Sequence, residues 1–417
     1  MGKKKKRLAA VAVAGAVMLA LAATGLSSAG ADARGVTSSS ITVAGLGYSA
    51  YYQTAAVGAQ ARFKAINDAG GIAGRKINFT GWNDDGSNPN TNLTQAKQLV
   101  QQAGVFAIVP VITPYMVSGS YLAAQKVPFV GWAISQQFCS NNYGFGFTGC
   151  IVPPPPVNVA GATWGELVNQ ELASQGGAKG KAAAVIAEDN DSGKAGAVVI
   201  GASAKAAGMK VTYQQASIPA LPAVVGDYSP YVNAIMTSNG GKPPDAVFLT
   251  LAFQNVQGMA KGLEQAGYKG IITNAVAYDP SLTASAKGQS AFTQFATPEA
   301  AATNPNMAAI VKQIQAVNGT KPIGQAILAG YFSADFFVKV LQKVGKNLTP
   351  ARFAAAAATL RYGISGVVGT TKYPAGRKLG TPCGQLIQSD GTQWNIVAPY
   401  HCYWNVPLSN PSRHLPY

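Results

Sequence analysis

From Ile41 onward, short continuous apolar runs alternate with longer stretches in which apolar residues recur every three or four positions. The runs read as strands covered on both faces, and the 3.6-residue recurrence reads as helices with one buried stripe. Strands are predicted at Ile41 to Ala44, Ile77 to Trp82, Phe106 to Val111 and Val127 to Val130, alternating with helices at Thr54 to Ala69, Asn90 to Ala103 and Met116 to Gln125. The stretch Ala65 to Pro89 holds two transitions together. Gly70 and Gly71 end one helix where positive φ is needed, Gly74 turns the chain, and Pro89 opens the next helix where a missing N–H costs nothing. Alternation of this kind implies a parallel, doubly wound α/β sheet.

A stiff Pro153 to Pro156 spacer precedes a second series. Its helices are expected at Val159 to Gln175, after the acidic loop Glu188 to Gly193 as far as Gly208, at Tyr228 to Thr237 and at Asn255 to Gln265, and its strands at Ala182 to Ala187, Met209 to Gln215, Ala246 to Leu251 and Ile271 to Thr273. At 417 residues the chain is too long for one ordinary core. Two similar Rossmann-like lobes with parallel sheets follow, joined by crossovers around a central cleft. Ligands of open α/β sheets sit beyond the carboxyl ends of strands, so the loops beginning at Gly45, Thr113 and Gly131 should converge on that cleft. Gly366 to Tyr403 reads as a β-rich end, and residues 406–417 as a disordered, Pro-rich tail.

Composition adds the compartment. Lys3 to Arg7 form a charged start, Leu8 to Leu26 an uncharged apolar run rich in Ala and Val, and Ala29-Gly30-Ala31 or Ala31-Asp32-Ala33 a small-residue cleavage site. Residues 1–33 thus read as a cleaved signal peptide of an exported protein, periplasmic or in the cell envelope. No lipid-anchor Cys follows. The Cys total of 4 is even, in two local pairs, and predicts disulfides Cys139–Cys150 and Cys383–Cys402. Without Lys3 to Arg7 and Asp32 the remainder keeps 27 basic and 15 acidic residues, net +12. These charges are scattered singly, with no basic arm or aromatic-interleaved stripe, so no nucleic-acid partner is expected.

Catalytic chemistry is sparse. His401 and His414 are the only histidines, both near the C-terminus, and no G-x-S-x-G, S-x-x-K, H-E-x-x-H or P-loop pattern occurs. Gly45-Leu46-Gly47-Tyr48-Ser49-Ala50 fits G-x-G-x-x-A, yet Tyr51 and Tyr52 are bulky where a phosphate needs open backbone, so it reads as a strand-to-helix loop lining a cleft. Asp84-Asp85 reads as turn and capping chemistry, and Glu188 to Asp191 as a solvated strand-end loop without calcium-loop spacing. No catalytic residue, metal or cofactor is expected.

Asn67, Ala69 to Ile72, Gly74-Arg75-Lys76 and Asp84-Asp85 resemble the signature of the type I, branched-chain amino-acid group of periplasmic solute-binding proteins of ABC importers. The resemblance extends over roughly Val36 to Tyr403. It implies two lobes joined by three crossings, with residues 36–156 and 298–356 in the first and 157–297 and 357–405 in the second. It also implies a small-molecule ligand taken by hinge closure, membrane permease subunits as partner, and a monomer. By position, its first-lobe ligand contacts fall at Tyr51, Tyr52, Thr113 and Ala133 to Ser135, and its second-lobe contacts near Ser192, at Ala252 to Phe253 and near Ala275. Where amino-acid binders place an aromatic and an acidic residue, this chain has Ser192 and Ala275; Asp279 is a substitute four residues on. Tyr48, Tyr51, Tyr52, Tyr115, Trp132, Phe253 and Tyr278 suit an apolar or aromatic ligand, and Thr113, Ser135 and backbone N–H groups near Ala133 are expected to receive its carboxylate. A ligand-sensing module for a signalling partner and a secreted enzyme using the same cleft are the alternatives.

Overall fold

The computed structural model describes residues 33–417; the leader read as a signal peptide lies outside the described residues. The chain first lays down β1 (Ser40–Gly47), α1 (Ser49–Tyr52), α2 (Ala55–Asp68), β2 (Lys76–Asp84), α3 (Pro89–Gln101), β3 (Ala107–Ile112), α4 (Gly119–Ala124), β4 (Phe129–Gly131) and β5 (Gly144–Gly146). These strands form a five-stranded parallel sheet in the order β2-β1-β3-β4-β5. The next passage contains β6 (Val159–Gly161), α5 (Thr163–Glu171), β7 (Ala182–Glu188), α6 (Asp191–Ala206), β8 (Lys210–Ile218), α7 (Ser229–Met236), β9 (Ala246–Thr250), α8 (Phe253–Gln265), β10 (Ile271–Asn274) and β11 (Ser290–Thr293). Then come α9 (Pro305–Asn318), α10 (Gln325–Val344), α11 (Pro350–Ala357), β12 (Arg361–Ile364), β13 (Val368–Lys372), β14 (Cys383–Ser389), β15 (Trp394–Cys402) and β16 (Asn405–Pro407). The second sheet runs β15-β14-β11-β10-β9-β7-β8, parallel from β8 to β11, with β14 and β15 antiparallel at one edge.

Both sheets are covered on both faces, which is why their strands are apolar without interruption. In the first, Val43, Ala107 and Val109 face α2 and α10, while Ala44, Ile108 and Val111 face α3 and α4. The second repeats the alternation, with Ala183 and Val185 toward α5 and α6, and Ala184 and Ile186 toward α7 and α8. The start of α3 is set by Asn88, whose side chain accepts from the N–H groups of Asn90 and Thr91 ahead of Pro89.

The helix α10 returns to the first sheet and packs so closely on α2 that two glycines are required. A Cβ at Gly58 would lie 1.8 Å from the Ile327 carbonyl oxygen, and one at Gly330 would lie 2.0 Å from that of Ala55. Gly58→Ala therefore forces the two helix backbones apart. It is expected to destabilise the protein by about 3 kcal/mol, the upper end of ordinary overpacking, in denaturant unfolding.

Several sequence expectations are corrected. Gly45 and Gly47 belong to β1 and not to a loop; a Cβ at Gly47 would lie 2.0 Å from the Ile112 carbonyl oxygen, so close strand packing explains the G-x-G spacing. Val159–Gly161 is a strand paired with β16, and the helix expected from Val159 begins at Thr163. That pairing also holds residues 406–407 of the tail expected to be disordered. Val406 is buried, Leu415 bridges to Asn405, and the Tyr417 O–H donates to the Thr370 carbonyl (3.1 Å). The β12–β13 hairpin, expected with the second lobe, packs on α10, where the Tyr362 O–H meets Asp335 (3.2 Å). The disulfides Cys139–Cys150 and Cys383–Cys402 are both formed. Among the described residues no helix is long and apolar enough to cross a membrane.

Candidate functional site

In a doubly wound sheet, the crevice lies where strand order reverses. In the first sheet that point is between the ends of β1 and β3, followed by Tyr48 and Pro114; in the second it is between the ends of β7 and β9, at Glu188 and Thr250. All four residues line one cavity of about 220 Å³. Tyr51, Tyr52, Trp132 and Ile134 wall it from the first half, and Ser192, Leu251, Phe253 and Val276 from the second. The chain segments that pass between halves close its floor, with Ile151, Gln294 and Thr381 among them. The lining is mostly apolar and contains no Lys, Arg or His. At about 10–15 Å³ per water centre the space holds roughly 15 to 20 waters, well beyond the bulk of one free amino acid.

Contacts between the halves rim the cavity. Tyr51 stacks on Phe253 with ring centroids 4.5 Å apart, and the Gln254 amide donates to the Tyr48 hydroxyl (2.6 Å). The Gln136 amide donates to the Asp191 carbonyl (3.1 Å), and the Tyr115 O–H donates to Glu188 Oε2 (2.5 Å). Burial pushes the Tyr51 and Tyr52 hydroxyls up from the ordinary phenol value; for Tyr52 the nearby Glu188 charge adds to this. Both stay protonated as donors.

Glu188 is the polar centre of the wall. It is 4% exposed, and four groups donate to it: the Tyr115 O–H, the Asn190 amide (3.1 Å), the Ala252 backbone N–H (2.9 Å) and the Asn255 amide (2.8 Å). Ala252 is the cap residue of α8, so the protein's own carboxylate takes a backbone N–H at that helix N-terminus, while the Asn190 side chain that also reaches it caps α6. The acidic loop expected to be solvated is therefore divided, with Asp189 and Asp191 exposed and Glu188 buried.

Of the residues expected at the ligand, Tyr48, Tyr51, Tyr52, Trp132, Ile134, Ser192, Ala252, Phe253 and Ala275 line the cavity. Thr113, Tyr115, Ala133, Ser135, Tyr278 and Asp279 are not among its lining. The Thr113 hydroxyl is buried and accepts from the Tyr115 N–H (3.4 Å), and Ser135 caps a single 3₁₀ turn by accepting from the Gln137 N–H (3.4 Å). Ala133 is packed between α3 and α4 residues and the sheet. Tyr278 lies in the core, its O–H on the Glu299 carboxylate (3.0 Å) and its ring edge-on to Trp394. Asp279 caps a turn through the Ser281 N–H (2.8 Å). Thr113 and Ser135, expected to receive a carboxylate, each accept from a backbone N–H of their own loop. Glu188 and Gln294 were missed. For Glu188 the signal was available: a carboxylate directly ending an apolar strand at the switch point. Gln294 carries none.

The profile of the family described as Periplasmic binding protein matches residues 41–393. The chain belongs to that family. No curated protein sequence matches the chain. Among solved structures, this periplasmic binding protein is similar to a fatty acid ABC transporter substrate-binding protein from Thermomonospora curvata, at TM-score 0.70 and 19% identity over 89% of this chain and 95% of that one. A possible leucine/isoleucine/valine-binding protein from Rhodopirellula baltica SH 1 gives TM-score 0.70 at 14% identity, covering 88% and 98%. An R. palustris ABC transporter solute-binding protein in complex with 4-hydroxybenzoate gives 0.67 at 17%, covering 87% and 97%. At these identities the likeness is one of fold: two α/β halves with the carboxyl ends of their strands facing a common cleft. The family is one of binding proteins.

Proposed function

We propose that this periplasmic binding protein is the exported, monomeric solute receptor of an ABC-type importer, holding a small organic molecule with a large apolar body and performing no catalysis. The observation that carries the reading is the apolar cavity shared by both switch points and roofed by the Tyr51–Phe253 stack. Solved structures of the same fold are described with a fatty acid transporter and with 4-hydroxybenzoate, which supports an apolar or aromatic solute. The moving bodies are the two halves, hinged where the chain passes between them near Ile151, Gln294 and Thr381. Closure brings Tyr115 to Glu188 and Tyr51 to Phe253, so a bound solute that fills the gap raises the closed population, which is the form presented to the permease.

Phe253→Ala removes one wall of the closed site. Loss of a buried aromatic contact of about 1.5–3 kcal/mol corresponds to a roughly 10- to 100-fold weaker dissociation constant. Calorimetric titration with medium-chain fatty acids, benzoates and their uncharged analogues tests this. A wild-type protein that binds none of them, or a Phe253→Ala protein that binds as well as wild type, would sink the reading.

A further inference from the structure

Gln294 and Tyr52 each bring an unused hydrogen-bond donor to the cavity. The indole N–H of Trp132 donates to Gln294 Oε1 (2.7 Å), and the Thr148 hydroxyl donates to the same oxygen (3.4 Å). Because an indole N–H can only donate, the amide orientation is fixed: the oxygen faces Trp132 and Nε2 is the free end. Among the described residues nothing accepts from Nε2, although Gln294 is only 8% exposed and lines the cavity. Tyr52 is 5% exposed, packs edge-on against the same Trp132 at 6.3 Å between centroids, and its hydroxyl has no partner among the described residues. Two donors without a protein partner thus adjoin one tryptophan, and neither is sealed from the cavity, so each is open to an acceptor that enters it.

We propose that Tyr52 and Gln294 together recognise an uncharged hydrogen-bond acceptor, a ketone, ester or amide oxygen, on an otherwise apolar ligand. This rests on the solute-receptor reading above and narrows the chemistry of its ligand. A carboxylate fits the donors but not the surroundings. No Lys or Arg lines the cavity, and the one carboxyl in its wall, Glu188, already takes the backbone N–H of the residue that caps α8. Its charge also reaches Tyr52, since it contributes to the raised pKa of that hydroxyl. An ammonium fails for the opposite reason: Gln294 Nε2 can only donate, and Glu188 is already engaged by four donors. An α-amino acid would bring both problems at once.

The test uses the full chain as expressed and exported. Matched probes on two skeletons, acetophenone with benzoate and benzylamine, and 2-decanone with decanoate and decylamine, are titrated by Trp fluorescence and calorimetry. At least one ketone is expected to bind at least tenfold more tightly than its carboxylate and its amine. Tyr52→Phe, which deletes only the hydroxyl, is expected to weaken that ketone about tenfold. Gln294→Glu keeps an acceptor for Trp132 while removing the free donor, and is expected to weaken it at least as much. A carboxylate or amine that outbinds its ketone, or ketone affinity unchanged in both variants, overturns the assignment and leaves the receptor reading standing. Failure of all six probes to bind the wild-type protein overturns the assignment together with the apolar-solute reading it rests on.

Discussion

Arg62→Ala is expected to destabilise the protein by about 3–5 kcal/mol, the range found when one member of a buried ion pair is removed and the other is left uncompensated. Arg62 Nε lies 2.6 Å from Asp335 Oδ1, with the side chains 12% and 8% exposed, and the pair joins α2 to α10. Asp335 Oδ2 also accepts from the Tyr362 O–H, tying in the β12–β13 hairpin. Without the guanidinium a carboxylate remains among three packed elements with one hydroxyl donor. Chemical denaturation measures the loss, and a shift below about 1 kcal/mol would show that water reaches Asp335 after all. Lys64→Ala is the internal control: its partner Asp68 is 2.7 Å away, but both side chains are largely exposed, so the change should stay within about 1 kcal/mol.

Glu188→Ala should act on stability and on binding together. The substitution strands four donors, two of them in α8 and its cap, one in the cap of α6 and one from the opposite half. At about 1–3 kcal/mol for each buried donor that water cannot reach, a loss of at least 3 kcal/mol is expected. Tyr115→Phe separates the two effects. It removes the donor from the first half together with the acceptor of the Leu221 N–H (3.0 Å) and the Asn190 amide (3.2 Å), all contacts across the halves, so the fold should lose about 1–3 kcal/mol while the closed population falls. Small-angle scattering with and without ligand reads the closure. A Tyr115→Phe protein as compact as wild type in the absence of ligand would count against a latch at this position.

The architecture was legible because both sheets obey one rule. Strands covered on both faces are uninterrupted apolar runs, and Ala182 to Ala187 or Phe106 to Val111 admit no other reading once the flanking glycines and the Pro89 cap are placed. Tyr51, Tyr52, Trp132 and Phe253 were legible at the cavity because they lie within a few residues of the carboxyl ends of strands. Thr113 and Ser135 follow strands as well, yet they are not in the cavity lining, and their short hydroxyl side chains accept from backbone N–H groups within their own loops. Gln294 could not be found from sequence, since its role depends on which end of its amide Trp132 selects, across 162 positions of chain. The C-terminal strand was missed for a related reason: β16 is short and polar-flanked, and its pairing with β6 comes from a partner far back in the chain.

The docked C-terminus bears on how this protein can be instrumented. Tyr417 lies under the Lys372 ammonium, with its hydroxyl on the Thr370 carbonyl, so a fluorophore or immobilisation handle joined there starts from the hairpin that rides on α10. Such a label would report the movement of the body carrying α10 instead of swinging as a loose tether. Paired with a dye at an exposed position on α7, it would make a distance gauge for closure without touching the cavity.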